Sequence, residues 1–116
     1  MIKKPLLAIA SGVIFVVLCL GQSAVAAENH KEEATKHALA AAESGSKGDA
    51  NGAAEHAKAA KTHAEAAEQE KPNAHLEAGI KNLNECIEHA KMGHAQIAGE
   101  SAEAAATHLK AAEKAM

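Results

Sequence analysis

The chain has 116 residues, with twelve lysines, no arginine, fifteen acidic residues and eight histidines, for a formal net charge of −3. Phe15 is its only Phe, Tyr or Trp. An acidic chain without arginine or stacking side chains lacks both the field and the platforms that hold nucleic acid, and its length allows one small domain.

The first residues read as a targeting segment. Lys3 and Lys4 precede an apolar run from Leu6 to Leu20, and Ala24-Val25-Ala26 is an A-x-A cleavage site. This pattern predicts a secretory signal peptide over residues 1–26, export to the periplasm, and no stable membrane span after cleavage. The domain then covers residues 27–116, with ten lysines against fifteen acids. Cys19 leaves with the signal. Cys86 remains as a lone thiol, which excludes an internal disulfide and leaves three readings: a packed core residue, an intermolecular pairing site or a metal ligand.

Alanine, glutamate and lysine dominate this domain and favour helix. Four segments carry apolar residues at alternating steps of three and four. They are Ala34, Ala38, Ala41 and Gly45; Ala53, Ala57, Ala60, Ala64 and Ala67; Leu76, Ile80, Leu83, Ile87 and Ala90; and Ala98, Ala102, Ala105, Leu109 and Ala112. That is the seam of a helical bundle. Breaks are expected at Gly48-Asp49, at Pro72-Asn73 and at Gly93, with Asp49 and Asn73 as N-caps. Short connections imply antiparallel neighbours. The predicted fold is all-α, an up-down-up-down four-helix bundle of two helical hairpins, about 28–70 and 73–115. Alanine seams bury little apolar area, so a thin core and marginal stability are expected.

The hairpins read as copies of one unit. A shift of 45 residues aligns His30 with His75, His63 with His108 and Gly48 with Gly93. Within each hairpin the histidines are mirror images about the turn. His30 mirrors His63 and His37 mirrors His56; His75 mirrors His108 and His89 mirrors His94. Two further mirrored pairs, Ser44 with Asp49 and Asn82 with Ser101, hold no histidine at all. Histidine present or absent by pairs is the trace expected of a metal clip between two helices. Seven residues of helix rise about 10 Å, so two such histidines on one helix cannot share an ion with bonds of about 2 Å. The clip has to cross between helices. Neutral imidazole suits copper(II), nickel(II) and zinc(II), copper most tightly. Glu33, Glu55, Glu85 and Glu88 are nearby carboxylates that could complete a site. His37, His56, His75, His89 and His108 each fall one residue before a seam position, at the edge of the bundle.

The turn Cys86-Ile-Glu-His89-Ala-Lys-Met92-Gly93-His94 adds a thiol and a thioether to two imidazoles. That set suits copper(I). The plainer reading packs Cys86 at a boundary position and lays Met92 over the turn.

The runs Glu55-His56-Ala57-Lys58, Thr62-His63-Ala64, Ala78-Gly79-Ile80-Lys81 and Gly93-His94, set in histidine-bearing heptads behind a signal segment, resemble the small metal-binding protein family of ammonia-oxidising bacteria. The resemblance implies a periplasmic four-helix bundle that takes up several divalent ions, copper foremost, for storage or detoxification. Ser44, Asp49, Ala78, Asn82 and Ser101 stand where that family carries further histidines, so a lower capacity is expected here. Cys86 and Met92 are outside the family pattern.

The expected function is therefore divalent-metal binding through His30, His37, His56, His63, His75, His89, His94 and His108, with Cys86 and Met92 as further candidate ligands. Copper is the expected ion, with nickel or zinc as others. One rival is an envelope interaction module with incidental histidines. Another is a copper(I) chaperone using only the Cys86–Met92 turn. No enzyme is expected: the chain lacks Glu-x-x-His, His-Glu-x-x-His and Cys-x-x-Cys-His.

Overall fold

A computed structural model describes residues 26–115. The expected signal segment, apart from Ala26, lies outside the described residues. Four helices follow in order: α1 (Ala26–Ser46), α2 (Ala50–Glu70), α3 (Ala74–Lys91) and α4 (Ala95–Lys114). Each helix packs on its neighbours in the chain, and α1 also packs on α4, which closes a four-helix bundle. Among the described residues no helix is long and apolar enough to cross a membrane.

The turns form where backbone chemistry requires them. Gly48 and Gly93 take φ of 85° and 82°, the left-handed region open to glycine. Each closes the same C-terminal motif, in which the amide just after the glycine returns to the last turn of the helix. Asp49 N donates to Ser44 O at 2.9 Å, and His94 N donates to His89 O at 2.9 Å. Pro72 ends the second connection, and the Asn73 side chain accepts from the amides of His75 (2.7 Å) and Leu76 (3.4 Å).

The expected seam forms the core almost residue for residue. Every seam position is buried except Ile80, which is half-buried. The inner face of α3 is wider than the heptad pattern implies, because Gly79 and Cys86 also turn inward. Leu109 explains the first of these: a Cβ on Gly79 would meet Leu109 Cδ2 at 2.9 Å, so the leucine packs over bare backbone. The largest fully buried side chains are Leu76, Leu83, Leu109 and Cys86, three of them on α3.

The other tight approach joins α1 to α4. A Cβ on Gly45 would lie 2.5 Å from Gly99 Cα and 2.6 Å from Ala95 O. Two facing glycines let these backbones touch. Shifting Gly45 and Gly99 by 45 residues gives Ala90 and Ala54, on α3 and α2. The α2–α3 seam instead holds Cys86, whose thiol faces Ala53 O at 3.9 Å.

Candidate metal centre

The α1–α2 face carries the densest set of imidazoles. His30 and His37 lie seven residues apart on α1, and His56 and His63 seven apart on α2. Because the helices run antiparallel, the mirrored partners meet. The rings of His30 and His63 have centroids 5.2 Å apart, with Nδ1 to Nδ1 at 2.9 Å. His37 and His56 have centroids 5.9 Å apart, stacked within 28°. All four rings are half-buried at the edge of the bundle.

A third contact crosses between these pairs. His37 and His63 stack with centroids 5.8 Å apart and planes within 5°. Side chains on a helix lean toward its N-terminus. On antiparallel helices the two rows therefore lean in opposite directions. His37 leans toward the level of His30, and His63 toward the level of His56, so the two converge. The result is a zigzag, His30–His63–His37–His56, in place of two isolated rungs.

Glu33 joins this zigzag. It lies one helical turn before His37, and ligand atoms of Glu33, His37 and His63 all fall within 4.8 Å of one another. This is the one group of three His, Cys, Asp or Glu so gathered among the described residues. Of the four carboxylates expected near the histidines, Glu33 is the one it brings in; Glu55, Glu85 and Glu88 join no such group. The Glu33 carboxylate also pairs with the exposed ammonium of Lys36, at 3.7 Å. Ion pairs of that kind are worth little and yield easily to a stronger ligand.

The surroundings of His63 favour its neutral form. Burial lowers its pKa below the ordinary value of 6.5, as do the neighbouring charges of His30 and then His37, while Glu33 opposes them. A neutral imidazole is a ligand and an imidazolium is not.

The second hairpin repeats the pairs without the zigzag. His75 and His108 face each other with Nδ1 atoms 3.3 Å apart and centroids at 5.6 Å. The residues 45 positions after Glu33 and His37 are Ala78 and Asn82, so the carboxylate and the crossing ring are both missing. His89 and His94 meet across the turn with centroids 6.2 Å apart. The backbone bond between them sets this pair. His89 Nδ1 is buried with no protein partner. His94 is the N-cap of α4 and makes no side-chain capping bond, whereas Asp49 at the matching place accepts from Gly52 N at 2.8 Å.

These separations suit a shared ion. With metal–nitrogen bonds of about 2.0–2.1 Å, two ligand nitrogens stand about 2.9 Å apart at a right angle and about 3.4 Å apart at the tetrahedral angle. The two Nδ1 separations, 2.9 and 3.3 Å, fall in that interval.

The sequence profile of the small metal-binding protein family matches residues 4–112. The chain belongs to the small metal-binding protein family. No curated protein matches it. In this bundle all eight histidines fall into ring contacts between mirrored partners, and the Glu33 group gives one candidate three-ligand site among the described residues.

The sulfur-bearing members of the turn cluster sit in different surroundings, Cys86 buried and Met92 exposed. The heptad pattern puts Cys86 at the boundary beside His89, but it is fully buried among the α2 and α3 seam residues. Burial pushes its thiol pKa up to about 11, so it holds its proton at neutral pH, and it is the thiolate that binds metal. Cys86 thus sits as a core residue. Met92 is the exposed C-cap of α3. What the mirrored-pair pattern missed was the crossing contact. The signal was present in the lean of helical side chains and in the spacing of Glu33 to His37.

Proposed function

We propose that this family member is a periplasmic buffer or store for divalent metal, copper foremost and nickel or zinc as further ions, with no enzymatic activity. In this reading the segment 1–26 is a signal peptide removed near Ala26. The observation that carries the proposal is the meeting of all four mirrored histidine pairs at ring separations of 5.2–6.2 Å. Antiparallel packing brings mirrored positions together; that histidine fills both members of four such pairs and neither member of the other two is what a metal clip requires. Copper is favoured by the affinity order for imidazole sites with oxygen ligands. The pairs join helices of a bundle with few large core residues, so bound metal would add to stability as well as fill a store.

The test is a calorimetric titration of the untagged chain from Ala27 with Cu(II), at neutral pH and near pH 5, with helicity followed in parallel. Binding of more than one ion at micromolar affinity or better, lost at pH 5, is expected. A single Cu(I) ion held through Cys86 and Met92 would favour the chaperone reading. No binding beyond that of a histidine-bearing helical peptide would remove metal storage and leave an interaction module.

A further inference from the structure

The first hairpin offers two different ways to use the same four imidazoles. His63 faces His30 across one mirrored pair, and it also stacks on His37 beside Glu33. His37 likewise faces both His56 and His63. The centroid separations of 5.2, 5.8 and 5.9 Å are so alike that neither partner excludes the other by distance. Each imidazole can give a given ion only one nitrogen. An ion held by Glu33, His37 and His63 therefore takes one ring from each mirrored pair. It leaves His30 and His56 with no partner ring on the facing helix.

We propose that this hairpin is a load-dependent double site, built on the metal-binding reading of the mirrored pairs. The first divalent ion takes Glu33, His37 and His63. A second ion takes His63 from this site to pair it with His30, and the first ion keeps Glu33 and His37 and gains His56. The physical reason is ligand count. At low load, three protein ligands including a carboxylate hold an ion more tightly than any two-imidazole pair. At high load, two ions share the four imidazoles two apiece, and Glu33 stays with the ion on His37 and His56. The second ion in this hairpin must break part of the first site, so it binds more weakly than the first. The second hairpin has Ala78 and Asn82 at the corresponding places, so its His75/His108 pair has no such exchange available. One chain then carries sites of graded affinity, which widens the range of free metal it can buffer.

The experiment follows each histidine ring and the Glu33 carboxylate by NMR while Zn(II), a diamagnetic probe, is added to the chain from Ala27. The expected course has two stages. His37, His63 and Glu33 respond first, with His30 and His56 still at their metal-free positions. Further Zn(II) then moves His30 and His56, while Glu33 keeps its metal-bound position. The variant Glu33→Gln should weaken the first ion by about tenfold or more, a loss typical of removing a group that supports a metal site, and should make all four rings respond together. Its fold should hold, because Glu33 packs at the surface and its ion pair is with an exposed lysine. The proposal is overturned if His30 responds with His63, and His56 with His37, from the first addition, or if Glu33 never responds. Those results would leave metal binding by mirrored pairs intact. Absence of any ring response would remove the metal-binding reading itself, and this proposal with it.

Discussion

Replacing His94 should make the metal-free protein more stable and lower its metal capacity. Asp49 and His94 open α2 and α4 with nearly the same backbone, φ −97° and ψ 86° against φ −89° and ψ 74°. The Asp49 carboxylate accepts from Gly52 N at 2.8 Å, while His94 caps nothing and turns its ring toward His89. A side-chain N-cap is worth roughly 1 kcal/mol, within a range of about 0.5–2. For a domain of this size 1 kcal/mol moves Tm by about 4–8 °C. His94→Asp should therefore raise Tm by that amount in chelator-treated protein, with a small further gain from a negative charge at a helix N-terminus. His94→Ser should give most of the same rise without adding a carboxylate. Both should lose the site shared with His89. The assay is thermal unfolding followed by helicity, with and without saturating Cu(II), alongside an ion count. If either variant melts at or below the wild-type temperature without metal, His94 already stabilises the helix start. The idea that its ring is reserved for metal would then be wrong.

Gly45→Ala puts a methyl 2.5–2.6 Å from backbone atoms of α4 that cannot rotate away; the usual gain of about 1 kcal/mol from alanine in a helix should be outweighed by about 1–3 kcal/mol of overpacking, read as a lower urea midpoint. Cys86→Ala should destabilise the bundle by about 1 kcal/mol, as removal of small buried groups does, and should leave the Cu(II) stoichiometry unchanged; with its pKa near 11, the native thiol should react with a disulfide reagent at neutral pH only as fast as the bundle opens. For His63 the folded pKa lies below the unfolded one. The unfolded chain therefore takes the proton first as pH falls through about 6.5, so metal-free stability should be full above that value and decline below it. His63→Gln should flatten that slope in denaturant titrations across pH 5–8. Cys86 acts at the other end: its raised pKa means stability should fall as pH rises above its ordinary value of 9.0.

Much of this protein can be read from spacing alone, because its helices are regular and its seam is almost all alanine. Ala53, Ala57, Ala60, Ala64 and Ala67 are buried as the alternating steps require, and Gly48 and Gly93 mark the two turns that need a left-handed residue. The mirrored histidines meet because short turns force antiparallel neighbours, so equal distance from the turn means equal height. The pattern fails where side-chain size and direction decide the outcome. Heptad lettering puts Cys86 at a boundary; the gap between α2 and α3 draws it fully inside. Equal height predicts rungs, but opposite leans join His37 to His63 and bring in Glu33. The approach of Gly45 to Gly99 depends on how closely two particular backbones pack, and no periodicity carries that.

One ion held by two histidines from different helices is the arrangement that the proposed function requires. It is tested most directly on the isolated pair His75/His108, which has neither a carboxylate nor a crossing ring to complicate it. Bound Cu(II) at saturation should be counted for the wild type, His75→Ala, His108→Ala and the double variant. Each single change should remove the same one ion, and the double should remove no more than either. Losses that add, with the double variant losing twice what each single loses, would show the histidines acting separately and would contradict the clip.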